Sequence, residues 1–521
     1  MRRTTRVIVG LLALSSLVLA SCSSDDGGDA SPETTVGEAA TADPNGVAKV
    51  GYDLVSNATG GFSWDPSATV ANVGNDALLN VVYGGLMRLA LDGKPEPDLA
   101  ESVTIVNGTT IDVVLRDGVT YPDGSALDAA LVKQVLDKNL ANPTNTAFAA
   151  TFYDLDSVEV TGDLTLRLTI PGGTANGWYD TYMGQVETLV VPPNTNFSMP
   201  AAAGPYDVTE FSPGRSATLT KNADYWDVDA IQVPTIELVN VQGEAETAAT
   251  SALNAGQVEF AAINFLQLEA LGSGIEPIIN PSASQLIGFQ TCNTQPPFDN
   301  EKLRLALNRA LDRDAINDAL YEGTGIPAYG IWPEGHPYYP EGLAEEYAYD
   351  PEAAKQLLTE AGYPDGITFD VMPMTAGGMP EVAQIVQQQW AQIGVDVTLK
   401  PTDAIVQDFY TEKEAPIGLI PVMGLTPRLN RWVGDTVNNF CDYDDPDLNA
   451  MAAEALTLSA SSDEAVTLWQ EITEKMSSEG LDIPVLYGSN VSAYNADKLG
   501  DVKVMPYQIP FPYVWELYVK A

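Results

Sequence analysis

Residues 293 to 316 read Asn293-Thr294-Gln295-Pro296-Pro297-Phe298-Asp299-Asn300-Glu301-Lys302-Leu303-Arg304-Leu305-Ala306-Leu307-Asn308-Arg309-Ala310-Leu311-Asp312-Arg313-Asp314-Ala315-Ile316. Pro296 and Pro297 hold the chain extended, and Asp299 stands where a side-chain oxygen can cap the helix that follows. Leu303, Ala306, Leu307, Ala310 and Leu311 then recur three and four residues apart, an apolar stripe that must face a core. The stretch therefore reads as scaffold: an extended approach, a capped entry and a helix buried along one side.

The same grammar continues on both sides. Asp350 can cap a helix that has Pro351 in its first turn, Ala354, Leu357, Leu358 and Ala361 along its stripe, and Gly362 at its end. Ile367, Phe369 and Val371 alternate as a strand. A helix carrying Val382, Ile385, Val386 and Ile393 follows and stops at Gly394, and Val395, Val397 and Leu399 form the next strand. Strand, helix and strand in that order predict an α/β unit with a crossover helix. Upstream, Val47 to Leu54 opens the folded body as a strand, and Leu78, Leu79, Val82 and Leu86 share a helical face. Ile111, Val113 and Leu115 alternate as a strand, and Tyr121-Pro122-Asp123-Gly124 is a tight turn. No fixed-period repeat or heptad run appears.

The chain has 521 residues, which at roughly 150 residues per domain predicts about three compact units. Hydrophobic residues make up 45% and charged residues 18%, a globular balance rather than a disordered one. The net charge of -46 repels phosphate backbones, so nucleic acid is excluded as a partner.

Arg2, Arg3 and Arg6 precede the apolar run from Val7 to Ala20, which falls short of the about 20 residues that span a bilayer and suits the core of a secretory signal. The run ends Leu19-Ala20-Ser21-Cys22, which resembles the lipobox of bacterial lipoproteins, where cleavage precedes a cysteine that receives a diacylglyceryl group. Residues 1–21 are then the signal peptide and Cys22 the lipidated first residue, anchored to the outer face of the cell membrane, since two acyl chains suffice for stable attachment. Residues 22–46, rich in Ser, Asp, Gly, Thr and Ala, are expected to form a disordered tether. Export also bears on the other two thiols: an oxidising compartment favours a disulfide between Cys292 and Cys441, with two separately buried free thiols as the alternative.

The stretch from Asn293 to Ile316 resembles the signature of the family 5 extracellular solute-binding proteins, which include oligopeptide, dipeptide and nickel binders. Tyr83-Gly84-Gly85-Leu86, Leu115-Arg116-Asp117-Gly118, Gly204-Pro205-Tyr206, Lys221 to Trp226, and Ala361-Gly362-Tyr363-Pro364 agree with that family in order and spacing. The resemblance covers roughly residues 47 to 521. It implies an α/β, bilobal, periplasmic-binding-protein-like fold with mixed sheets and discontinuous domains joined by a hinge. The first lobe's core domain would take residues 47–68, 203–286 and 500–521, its additional domain 69–202, and the second lobe 287–499. Ligand binding would then shift the balance of open and closed forms.

The resemblance further implies a monomeric binding lipoprotein that captures a short peptide or peptide-like solute and passes it to ABC permease and ATPase subunits. A sugar, opine or metal chelate is the alternative ligand, and a sensory role without transport the alternative function. Family pockets combine aromatic walls with a carboxylate that pairs a peptide's amino group, in a Trp-x-x-Asp-like loop. Trp432-Val433-Gly434-Asp435 has that form, although the segment to Cys441 is shorter than usual, so Asp442 and a plain surface turn compete with Asp435. Trp432, Asn438, Asn439 and Phe440 would form a stacking and hydrogen-bonding wall, joined by Tyr329, Trp332, Trp64 and Asn72. No catalytic residue, metal ligand or cofactor is expected. The single histidine, His336, lies between Gly335 and Pro337, no Gly-x-Ser-x-Gly surrounds any serine, and neither His-Glu-x-x-His nor Cys-x-x-Cys occurs. Gly323 and Gly325 lack the third glycine of a dinucleotide loop.

Overall fold

The computed structural model describes residues 41–55, 62–66, 75–141, 155–185, 188–241, 247–280, 285–375, 377–423, 429, 431–433, 439–488, 490–505 and 510–521. Cys22 and the expected signal peptide, residues 1–21, lie outside them. The fold begins with β1 (Val47–Tyr52), followed by β2 (Ala100–Asn107), β3 (Thr110–Leu115), β4 (Ser157–Gly162) and β5 (Thr165–Thr169). Next come β6 (Tyr206–Ser212), β7 (Ser216–Lys221), β8 (Thr235–Asn240), β9 (Phe260–Ala262) and β10 (Ile275–Asn280). The later strands are β11 (Gln285–Thr291), β12 (Ile326–Pro327), β13 (Ile367–Pro373), β14 (Val395–Leu399), β15 (Ile417–Met423), β16 (Ile483–Tyr487) and β17 (Asn490–Asn495).

Three larger sheets result, beside two two-stranded ones, Met87–Leu89 with Pro95–Pro97 and Leu499–Gly500 with Tyr518–Val519. The first has the order β10-β17-β9-β1-β8-β7-β6, the second β12-β16-β11-β15-β13-β14, and a smaller one β2-β3-β5-β4. The first two are the sheets of two lobes, linked by the steps from β10 to β11 and from β16 to β17. The return comes earlier than the expected residue 500: Phe260–Ala262 pairs antiparallel with Ser492–Tyr494, so β17 already belongs to the first sheet. Its apolar Val491 and Ala493 are buried there.

The longer helices are α1 (Asp76–Tyr83), α2 (Ala129–Ala141), α3 (Ala175–Tyr182), α4 (Ala248–Asn254), α5 (Glu301–Arg309), α6 (Arg313–Tyr321), α7 (Pro351–Glu360), α8 (Met379–Ala391), α9 (Pro446–Ala455) and α10 (Asp463–Ser478). Local chemistry explains most of their ends. Asp350 caps α7 by accepting from the amides of Glu352 and Ala353 at 3.1 and 2.9 Å, with Pro351 in the first turn. The entry to α5 differs from expectation in one residue: the Asp299 amide is tied back to the Gln295 carbonyl, and Asn300 takes the cap by accepting from Lys302 and Leu303. From β13 through α8 to β14 the chain makes the expected crossover, with Ile367 paired to Val395 in parallel register.

Cores follow the sheets. One cluster joins β1 to β3, α1, α3 and the C-terminal Phe511–Val519 region, and includes Trp64, Tyr83 and Tyr206. A second spans both sides of the crossovers, with Val241, Phe265 and Ala493 from the first sheet's side and Phe289, Trp390 and Ile483 from the second's. A third lies among α9, α10 and residues 331 to 338. Arg313 is buried beneath α5 and α6, donating to the Pro484 carbonyl at 3.0 and 2.8 Å, while burial pulls its guanidinium down to about 10.

Two sequence expectations meet the structure at the chain's edges. The tether, expected to reach residue 46, is shorter: Asp43 donates its amide to the Val519 carbonyl at 2.8 Å and Ala521 to the Thr41 carbonyl at 2.9 Å. The C-terminal segment offers unpaired backbone groups, and residues 41 to 43 satisfy them. Cys292 and Cys441 are bonded, with Cα atoms 5.5 Å apart, and the Thr294 hydroxyl donates to the Cys441 carbonyl at 2.6 Å. The link closes a loop of sequence separation 149, for which chain entropy alone gives about 5 kcal/mol. Replacing both cysteines by serine should lower the unfolding free energy by up to that amount, read by urea unfolding extrapolated to water.

Candidate ligand-binding cleft

β1 runs parallel to β8 on one side and to β9 on the other, so three strands of the first sheet end along one line. In open α/β sheets, ligands lie outside the carboxyl ends of the strands, where neighbouring connections diverge to opposite sides. A cleft of about 410 Å³ occupies that position. Its first wall is Gly51, Tyr52 and Asp53 at the end of β1, Val241 after β8, and Ala262 to Leu266 after β9, closed by Asn490, Val491 and Pro510. Its second wall comes from the other lobe: Leu320 and Tyr321 at the end of α6, and Gly377, Gly378 and Glu381 at the start of α8.

Packing dictates much of this lining. A Cβ at Gly51 would meet the Ala261 Cβ and a Val241 methyl at 2.9 Å, so only glycine lets the strand ends approach. The Tyr52 hydroxyl donates to Asn75 Oδ1 at 2.8 Å and its ring meets Phe511 edge-on at 5.9 Å. Across the cleft floor, Phe265 of the first wall packs on Tyr321 of the second, ring centres 5.3 Å apart. Gly377 and Gly378 both have positive φ, 70° and 76°, with open space where a side chain would stand.

The electrostatics are one-sided. Asp53 and Glu381 are the charged residues of the described lining, with no lysine, arginine or histidine beside them. Burial, with Glu381's charge adding to it, pushes the Tyr321 phenol up to about 12. Burial raises the Tyr52 phenol well above its ordinary range, reinforced by the charges of Asp76 and Asp53. Behind Tyr52, burial lifts the Asp76 carboxyl to about 7, against the opposing pull of its own backbone amide. Among the described residues, no group of three His, Cys, Asp or Glu is placed to hold a metal ion.

The residues singled out from the sequence stand elsewhere. Trp432 is buried in the third core, its ring edge-on to Tyr443 at 5.6 Å and its Nε1 donating to Asp482 Oδ2 at 3.2 Å, beside an Arg431 to Asp482 ion pair of 3.1 Å. Asn439 spends its amide on a turn, donating to the Tyr443 carbonyl at 2.7 Å and accepting from the Tyr443 amide at 2.9 Å. Phe440 packs on Phe409 and Tyr410 at 5.1 and 5.0 Å. Trp332 stacks on His336 at 4.3 Å and joins Trp432's cluster, and Tyr329 lies over the Arg313 guanidinium at 4.7 Å. Trp64 is buried in the first lobe, edge-on to Phe62 at 4.9 Å. None of these lines the cleft, and Asp435, Asn438 and Asn72 lie outside the described residues. Sequence reasoning missed Tyr52, Phe265, Tyr321 and Glu381; the available signals were the end of the first strand and the Gly377-Gly378 pair ahead of a helix.

Two lobes flanking a cleft at converging strand ends define a solute-binding protein by architecture. A model of the bacterial extracellular solute-binding proteins, family 5, matches residues 94–427, and the chain belongs to that family. The glutathione-binding protein GsiB of Salmonella paratyphi A is 31% identical over 348 residues, covering 63% of this chain and 66% of that relative, just under two thirds of its length. In fold, the ABC transporter substrate-binding protein CtaP of Listeria monocytogenes matches with TM-score 0.76 at 23% identity, covering 92% of this chain and 100% of that one. The dipeptide-binding protein of Pseudoalteromonas sp. SM9913, solved in complex with Met-Leu, gives 0.75 at 19% identity, covering 91% and 100%.

The raised Asp76 carboxyl generates a pH test. An acid whose folded pKa lies above its unfolded value near 3.8 destabilises the fold progressively as pH rises from about 4 to 7, and by a constant amount beyond. Asp76→Asn should therefore be more stable than the wild type at pH 8, by at most about 4 kcal/mol, and equal to it near pH 3.5. Melting curves across that range check it; a gap independent of pH would remove the buried carboxylate as the cause.

Proposed function

We propose that this protein is a lipid-anchored, extracytoplasmic binding protein of an ABC importer that captures a short peptide with a free amino group by closing its lobes and presents it to the permease. The observation that carries this reading is the cleft of about 410 Å³ between the lobes, within the range of small-molecule sites. A closed cleft removes most of the ligand's surface from water, and any ligand that touches both walls favours the closed form by its differential affinity. Two carboxylates and no cation along the described lining suit an ammonium group, and the aromatic rings of Tyr52, Phe265 and Tyr321 suit an apolar side chain.

The relative's name supports a peptide-like solute, and the lining refines the choice. Glutathione carries two carboxylates and one amine, whereas this wall is itself acidic. Backbone amides at the start of α8, where Gly378 makes no side-chain cap, join the Asn264 and Asn490 side chains and the Tyr321 hydroxyl as neutral donors for a ligand carboxylate, and Pro380 withholds one of those amides. Neutral or cationic di- and tripeptides should therefore bind better than glutathione.

A thermal-shift panel tests the ligand class. Free-amino di- and tripeptides should raise the melting temperature by mass action, corresponding to about 2.7 kcal/mol at a hundredfold excess over Kd, and N-acetylation should abolish most of the shift. Shifts with oligosaccharides or metal chelates but none with peptides would overturn the peptide assignment. For the anchor, the wild type should sediment with membranes and Cys22→Ser should appear in the soluble fraction; equal membrane association of the two would exclude lipidation at Cys22.

A further inference from the structure

Away from the core that surrounds the crossovers, the lobes meet a second time, where α3 approaches the end of α9. α3 is tied to the first lobe's small sheet through the Ala175 amide, which donates to the Gly108 carbonyl at 2.9 Å. Its first turn points into the second lobe: Gly177 donates its amide to the Leu456 carbonyl at 3.3 Å, and Asn176 Nδ2 donates to the Thr457 carbonyl at 3.0 Å. Leu456 is the residue on which α9 ends, and Thr457 follows it.

Helix geometry makes the pairing complementary. The first amides of a helix and its last carbonyls have no partner within the helix, and they carry the positive and negative ends of its dipole. Thr174, ahead of α3, makes no side-chain cap; the Ala175 amide finds its partner within its own lobe, whereas the Gly177 amide finds its partner in the other. The donor end of one lobe's helix thus meets the acceptor end of the other's. Gly177 records the fit in the sequence. Glycine within a helix costs about 1 kcal/mol against alanine, and here a Cβ would lie 3.0 Å from both the Leu456 carbonyl oxygen and a Leu456 methyl. Asp180, one turn along α3, adds its charge to the burial that raises the phenol of Tyr338, a residue of the second lobe.

We propose that the first turn of α3 and the end of α9 form a latch that holds the two lobes closed, so that the resting protein is biased toward the closed form before any ligand enters. The contact is small enough to break and re-form, and it involves neither the cleft lining nor the crossover core. It therefore sets the open-to-closed ratio without touching the ligand. A bias of this kind raises ligand affinity by enlarging the binding-competent population, and it slows release once the ligand is bound.

Pulsed electron paramagnetic resonance on the ligand-free full chain tests the latch. Spin labels go on Val106→Cys, exposed in the small sheet, and Glu464→Cys, exposed on α10, in a Cys22→Ser background. The unlatched variants are Asn176→Ala, which removes one hydrogen bond, and Gly177→Leu, which fills the approach. The parent should show a dominant short distance, and each variant should lower the closed-to-open ratio about three- to tenfold with little change in melting temperature. A parent that is predominantly open, or distributions identical in all three proteins, would overturn the proposal. Because no ligand is used, that failure is separate from a wrong assignment of the peptide.

Discussion

The structure depends on one arrangement of backbone: β1 held in parallel register between β8 and β9. Val47 to Tyr52 pairs residue by residue with Thr235 to Asn240, and Val50 and Gly51 with Phe260 and Ala261. Parallel pairing obliges each strand to return by a crossover, so the three carboxyl ends finish side by side while the chain departs in different directions. Those departures leave a crevice that no sheet hydrogen bond can fill. The second lobe's helices α6 and α8 cover it, and the candidate ligand cleft is what remains between.

The crossovers explain how such a crevice can open without loss of the fold. Val241, Phe265 and Ala493 on one side share a core with Phe289, Trp390 and Ile483 on the other, so the pivot stays buried in apolar contact. Interlocked packing of this kind resists continuous deformation and favours a few discrete arrangements. Polar, directional contacts remote from the pivot, such as those between α3 and α9, break at small cost because water replaces them. The molecule is thus stiff at the joint and weakly fastened at the far side, which is the distribution of strength that hinge closure needs.

Legibility from sequence tracked how local the determinants were. The unit from Asp350 to Leu399 could be read directly because its caps, stripes and stop residues lie within a few positions of each helix or strand. The bilobal α/β class followed from the family signature. The cleft lining was hidden, because Tyr52, Phe265 and Glu381 are ordinary residue types whose meeting is fixed by strand register and crossover geometry. Aromatic residues are ambiguous for a related reason: Trp432 and Trp332 have the composition of a ligand wall, and the same rings pack in the third core, where Asp482 satisfies the Trp432 indole. Only the tertiary partner distinguishes the two uses. Asp299 and Asn300 show the same limit at one residue's scale, where a backbone turn back to Gln295 moved the cap by a single position.

Charge acts on two scales that should be kept apart. The net charge of -46 creates a field that raises the local concentration of any cation and lowers that of any anion, with a range set by the Debye length of about 8 Å at physiological salt. That field speeds encounter but does not choose among amines. Selection requires carboxylates held where water is scarce, because the same ion pair is far stronger in a low-dielectric crevice than on a wet surface. Asp53, half-buried, and Glu381, exposed, stand on opposite walls of the cleft, one from each lobe, so their attraction for a shared guest grows as the cleft excludes water. For the ammonium-bearing ligand proposed above, the acidity of the surface and the acidity of the cleft would therefore do different things: the first would bring a cation to the protein, and the second would tie its capture to closure.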